Sequence, residues 1–366
     1  MRKSSRSGSI AYFISPHGYG HAARASAVME FCHRLDRSLR FEVFTLVPEW
    51  FFRDSLEFPF GYHPVLTDIG MIQKTATVED PSSTVQRLDE FLPFDDTLLS
   101  RLAEEVSAAG CRLVICDISP LGIAVAKRMG VPSLLIENFT WDWIYDAYVK
   151  YEPGLSRHIT FMEEIFNDAD HHIQASPVCR RDESVALTAP ISRSLRRPPV
   201  EIRRELQIPQ GAKTVILTMG GMPWHFPSLE RLKKERSLCF VALGASRRGV
   251  RDGNLILLPH RSGFFHPDLV NACDAVIGKA GYSTMAEAFQ AGVPFGCIER
   301  EIFPESEVLA SFVRNEMNGA VIKPEGLLPR HWISSAHDLL QMPRITRDGR
   351  NGGQQAAEAI LAILAS

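Results

Sequence analysis

The sequence lacks long apolar runs, paired cysteines and any surplus of charge. No window approaches the ~18–20 apolar residues of a membrane span. The run "IAYFI" after the basic N-terminal residues is too short for a signal-peptide core. Forty Lys+Arg against 43 Asp+Glu, a net charge of −3, leave no electrostatic footprint for nucleic acid or anionic lipid. Seven cysteines without a Cys-x-x-Cys pair point to free thiols in a reducing compartment, and a cytoplasmic protein is expected. No His/Cys cluster at ligand spacing argues for a required metal, and no resident cofactor is expected.

What is present is a repeating alternation. Short β-rich runs, most with a continuous apolar centre, occur at 10–15, 41–47, 112–117, 131–137 and 171–176, and again at 213–220, 238–244, 254–259, 274–279 and 293–299, with helical patterns between them. Such runs are the mark of a parallel sheet covered on both faces. With 366 residues, two domains are expected, each large enough for its own core. The stretch 183–206, "ESVALTAPISRSLRRPPVEIRREL", mixes prolines and basic residues without clear period and reads as a linker. The reading is an α/β protein of two tandem doubly wound, Rossmann-like domains facing a cleft, 8–196 and 197–350. A last helix, 353–364, returns to the first domain.

The first candidate site is "SPHGYGHAAR", 15–24, between a strand and a helix. Ligands in open α/β sheets bind at the carboxyl ends of strands, so this turn faces the cleft. Gly18 and Gly20 allow close backbone approach or positive φ. His21, in the helix's first turn, is a candidate general base, and His17 a loop residue near the ligand. Asp117 ends a later strand. Because Ser119 followed by Pro120 is the better helix cap, Asp117 is free to orient the histidine. Asn138, Trp141 and Asp142 in "ENFTWDWIYDAY" end the next strand and suit an acceptor or sugar, though aromatics at this spacing also serve as core.

The second candidate site lies in the other half. Gly220 and Gly221 follow a strand and offer bare N–H groups to an anion. In "ACDAVIGKAGYSTMAEAFQAGVPF" a strand runs into Lys279, Gly281, Ser283 and Thr284 at a helix start, a cradle for a diphosphate. Glu287 one turn on suits the hydroxyls of a ribose, but Thr284-x-x-Glu287 also spells a capping box, and spacing does not separate the two.

These residues resemble the GT-B glycosyltransferases that use nucleoside-diphosphate sugars. "ILLPHRSGFFHPDLVNACDAVIGKAGYSTMAEAFQAGVPF" is similar to their donor-binding signature, and "GYGHAARASAV" to their Gly-His loop. The resemblance implies His21 as base, Asp117 as its orienting carboxylate, Gly220, Ser283 and Thr284 at the diphosphate, and Glu287 at the ribose. Lys279 stands where many plant members carry a phosphate-binding histidine. "CIEREIFPESE" replaces the acidic residue and glutamine that hold the donor sugar, leaving Glu301 or Glu305 as substitutes. "GHAAR", "NFTWDWIY" and "GKAGYSTMAEA" further resemble the N-terminal region of plant L-arabinokinases.

The resemblance implies inverting transfer of a sugar from a nucleotide donor, with UDP the expected nucleotide, to a small-molecule or glycan hydroxyl. The diphosphate is neutralised by protein groups rather than by a metal. The alternatives are a nucleotide-sugar binding module without turnover and, third, a nucleotide-sugar 2-epimerase.

Overall fold

The computed structural model describes residues 8–75, 78–220, 229–323 and 329–366. The chain divides into two compact units, Met1–Ile191 with Arg350–Ser366, and Ser192–Gly349.

Among the described residues the first unit carries β1 (Ser9–Ile14), β2 (Arg40–Phe44), β3 (Gly61–His63), β4 (Gln73–Thr75), β5 (Val78–Glu79), β6 (Cys111–Asp117), β7 (Ser133–Glu137), β8 (His171–Ala175) and β9 (Ala186–Thr188). β4 and β5 form a separate antiparallel pair, and the rest make one sheet in the order β3-β2-β1-β6-β7-β8-β9. All its neighbours run parallel. The physical cause is visible in β1, where every residue is buried: a strand covered on both faces needs no polar alternation. Strand order reverses between β1 and β6, with Ile14 opposite Asp117. That is the switch point where the connections on either side part and leave a crevice.

The second unit repeats the plan with β10 (Lys213–Thr218), β11 (Leu238–Leu243), β12 (Val250–Asp252), β13 (Leu255–Leu258), β14 (Ala275–Lys279), β15 (Phe295–Ile298) and β16 (Ala320–Ile322). Its order is β12-β13-β11-β10-β14-β15-β16, reversing between β10 and β14. Its core is built by Val215, Leu217, Phe240, Ile277 and Ile298 with Trp332 and Leu339 from the helix Pro329–Leu340.

The central strands fall where the apolar runs lie. The short edge strands β3, β9, β12 and β16 carry too few apolar residues to announce themselves, and β12 runs antiparallel to β13. The expected linker is also structured: it contributes β9 to the first unit and the helix Pro199–Glu205, with proline at its first position, to the second. The division falls after Ile191 rather than near Arg197–Pro199. Arg193 is bound to Glu287, and the Arg196 N–H donates to Asp268 Oδ1 at 2.9 Å, which ties this segment to the second unit.

The terminal helix Gly352–Ala365 belongs to the first unit and lies along the helix Gly20–Leu35. Gly353 permits the contact, since a Cβ there would sit 2.7 Å from the Phe31 ring, and Gly352 lets the helix start against the segment after β9, where a Cβ would sit 1.9 Å from Ala189 O. Among the described residues no helix is long and apolar enough to cross a membrane.

Candidate active site

In the first unit the carboxyl ends of β1, β6 and β7 bring His21, Asp117 and Asn138 together. His21 is the second residue of the helix that follows β1, and Asp117 is the last of β6. The His21 Nδ1–H donates to Asp117 Oδ1 at 2.8 Å. That fixes the tautomer with the lone pair on Nε2, and no described residue is bonded there. Asp117 is fully buried. Burial pushes its carboxyl up, but Arg24 and the His21 hydrogen bond outweigh it and hold it below the usual range, so it is ionised.

Arg24 went unrecognised in the sequence. One turn past His21, it is 1% exposed. Its Nε donates to Asp117 Oδ2 at 2.9 Å and its Nη2 to Oδ1 at 2.6 Å. Its Nη1 donates to Asn138 Oδ1 at 2.5 Å. The clue was a charge inside "GHAARASAV", a run of small residues that must pack. Asn138 therefore lies behind the arginine, wholly buried, rather than lining an open pocket. Just beyond Asp117, Ile118 has φ +47°, a left-handed conformation that costs a β-branched residue about 1–3 kcal/mol.

The loop itself is braced from below. Gly18 has φ +75°, which a side chain would strain, while Gly20 simply begins the helix. Ser15 Oγ donates to Asp68 Oδ1 at 3.0 Å and accepts from the His17 N–H at 3.3 Å. Asp68, also absent from the sequence expectations, is 1% exposed, and its Oδ2 has no partner among the described residues. Burial pushes its carboxyl up to about 7. The His17 ring stands edge-on to Trp141 at 5.1 Å. A Cβ on Gly70 would lie 2.7 Å from His17 Nδ1, so only glycine fits there. Trp141 is fully buried and stacks on Tyr145 at 5.9 Å. Asp142 is buried too, its carboxyl pushed up chiefly by that burial.

In the second unit Lys279 ends β14 and Gly220 lies two residues past the end of β10, the two strands that flank the switch point. Gly220 has φ +66°, and its Cβ position lies 4.0 Å from Lys279 Cε. Gly221 lies outside the described residues. Gly281 is the residue before the helix Tyr282–Ala291, with Ser283 half-exposed and Thr284 buried in its first turn.

Glu287 takes no part in a capping box, because Gly281 occupies the cap position. Its Oε1 accepts from Arg193 Nε at 2.9 Å, and its Oε2 from the His266 Nδ1–H at 2.5 Å. Neither partner is near enough in sequence to be foreseen. Glu301 is exposed in the loop after β15, whereas Glu305 is buried 3.9 Å from Arg300, whose guanidinium covers Phe303 at 3.5 Å. Among the described residues no group of three His, Cys, Asp or Glu is placed to hold a metal ion.

Residues 8–331 match the profile of a family described as Glycosyl transferase family 1. L-arabinokinase of Arabidopsis thaliana is 27% identical over 357 residues, covering 96% of this chain but 34% of its own length, so the chain spans about a third of that relative. An uncharacterised glycosyltransferase of Methanopyrus kandleri is 24% identical over 270 residues, 70% of this chain and 76% of its own. Among solved structures, the calicheamicin glycosyltransferase CalG4 superposes with a TM-score of 0.64 at 17% identity, over 100% of this chain and 99% of that one. Medicago truncatula UGT71G1 complexed with UDP-glucose gives 0.57 at 12%, over 97% and 98%. At these identities the structures bear on the fold.

Proposed function

The chain belongs to glycosyl transferase family 1 and has the GT-B fold, and from that premise we propose that it transfers a sugar from a nucleoside-diphosphate donor, UDP-linked, to an acceptor hydroxyl with inversion. The acceptor oxygen attacks the anomeric carbon as the bond from that carbon to the diphosphate oxygen breaks. The hydroxyl proton passes to His21 Nε2 and then to solvent. Asp117 keeps the imidazole in the right tautomer and stabilises the cation that forms. His17, half-buried at the turn, faces the acceptor side, and the buried Trp141 and Asp142 support it from behind rather than line the pocket. On the donor side the amides at Gly220 and Ser283, with the Lys279 charge and the Thr284 hydroxyl, neutralise the leaving diphosphate. Glu287 belongs to the ribose end.

The observation that carries the reading is the 2.8 Å bond from His21 Nδ1 to a buried, ionised Asp117 at the switch point of its sheet. Such a pair turns an otherwise ordinary imidazole into a fixed proton acceptor. The test is product analysis by mass spectrometry and NMR. Wild type and His21→Ala are incubated with UDP-, GDP-, ADP- and dTDP-glucose and a panel of phenolic and sugar acceptors. The expected result is a glycoside of inverted anomeric configuration from wild type and none from His21→Ala. An isomerised or eliminated sugar without acceptor would mean an epimerase, and nucleotide binding without any product a binding module.

A further inference from the structure

The proposed base sits in a cluster whose fixed charges cancel. Asp117 is ionised, and Arg24 sets a permanent positive charge against it through Nε and Nη2. All three side chains are shut in: Asp117 is 0% exposed, Arg24 1% and His21 8%. Asn138, which accepts from Arg24 Nη1, is uncharged and neutralises nothing. The nearby Tyr12 phenol and Cys116 thiol are kept neutral, chiefly by burial. Asp68, pushed up to about 7 by its own burial, adds only part of a negative charge at neutral pH.

A proton taken up at Nε2 of His21 upsets this balance. The imidazolium has Asp117 Oδ1 2.8 Å from its Nδ1, but also Arg24 Nη2 3.3 Å from the same nitrogen. Attraction and repulsion over such similar distances largely cancel. A histidine and a carboxylate alone pass from one negative charge to none when they take a proton. Here the cluster passes from none to one positive charge away from water, which is the costlier change. Asp117 therefore orients His21 well but gives its cation little net support. The acceptor must part with its proton readily.

We propose that Arg24 is a positioning residue that cancels the charge of Asp117, so that His21 serves acceptors whose hydroxyl is already acidic, of the order of a phenol, and not aliphatic alcohols. The inference rests on the transferase reading and names the acceptor chemistry of that same site.

Phenol and benzyl alcohol test it, because both carry an aromatic ring but only phenol has a hydroxyl that ionises near pH 10. The kcat/KM for each is measured with the four glucose donors named above, on wild type, Arg24→Lys and Arg24→Gln. General-base assistance contributes about 10²–10⁴-fold, so wild type should use phenol at least about 10²-fold better than benzyl alcohol. A neighbouring charge moves a proton equilibrium about 10–10³-fold. Arg24→Gln should accordingly narrow the ratio about tenfold or more, whereas Arg24→Lys, which keeps the charge, should hold it near the wild-type value. A merely structural role would lower both rates together and leave the ratio alone. Kinetics are read where circular dichroism shows the variants folded, and the wild-type ratio decides by itself should Arg24→Gln not fold. If wild type uses benzyl alcohol as well as phenol, or Arg24→Gln keeps the wild-type ratio, the inference is overturned while the transferase reading stands. If wild type glycosylates neither these two nor any acceptor of the wider panel, both fall.

Discussion

Arg24 clamps Asp117 with two nitrogens, Nε on Oδ2 at 2.9 Å and Nη2 on Oδ1 at 2.6 Å, where neither side chain reaches solvent. A permanent cation thus faces the carboxylate that also holds the proposed base. The pair is worth little more than an apolar pair of similar size, but removing one member strands a buried charge.

Arg24→Met should accordingly destabilise the first unit by about 3–5 kcal/mol. The double variant Arg24→Met with Asp117→Leu should cost less than Arg24→Met alone, because no charge is then left unpaired. Urea unfolding followed by fluorescence measures both. A double variant worse than the single would refute the pairing argument.

Asp117→Asn separates catalysis from binding. The amide no longer enforces the Nδ1–H tautomer of His21, and it no longer neutralises Arg24. Transfer should fall about 10²-fold or more, while calorimetry should give an unchanged affinity for UDP, since the proposed donor site lies in the other unit. Equal loss in both would show that the substitution merely unfolds the protein.

Asp68 makes stability depend on pH in a direction opposite to most carboxylates. Its pKa is raised from an ordinary 3.8 to about 7 by burial, so the folded state holds a proton that the unfolded chain releases. Its contribution is complete below pH 3.8 and drains away as pH rises through about 7. The loss is of order 4 kcal/mol at 1.36 kcal/mol per pKa unit. Asp117 and Glu287 are lowered, so their contributions are present at neutral pH and lost in acid. Unfolding free energies of wild type and Asp68→Asn from pH 4 to 7 isolate the Asp68 share. The variant should gain on wild type steadily across that range, and parallel curves would show that Asp68 is ionised throughout.

Two glycines of the second unit should respond differently to alanine. A Cβ on Gly278 would come within 2.6 Å of the Thr218 carbonyl oxygen on the neighbouring strand, whereas one on Gly281 meets nothing nearer than Lys279 O at 3.8 Å. Gly278→Ala should cost about 1–3 kcal/mol by forcing β10 and β14 apart. Gly281→Ala should leave the melting temperature nearly unchanged.

The sequence by itself determined the α/β class, the central strands of both sheets, the strand-end positions of Asp117 and Lys279, and the places of His21 and Gly220 in the segments that follow strands. Those features follow from local chemistry: a strand buried on both faces must read as an unbroken apolar run. The Ser119 cap was legible for the same reason, and its Oγ accepts from the Gly122 N–H in the first turn of its helix. Edge strands such as β9 and β12 were not, because a few half-exposed residues carry no period.

Tertiary structure alone decided who meets whom at the sites. Asp117 meets His21 because Ile14 and Asp117 share a register across β1 and β6. Arg24 then arrives one helical turn later. Glu287 could have been a helix cap, a ribose ligand or an ion-pair partner by its spacing. Arg193, entering through what reads as a linker, and His266, from another helix, turned its two oxygens inward. A buried carboxylate takes whatever donors the packing delivers. That delivery is set by strand register and helix packing across many tens of residues, which no local pattern records.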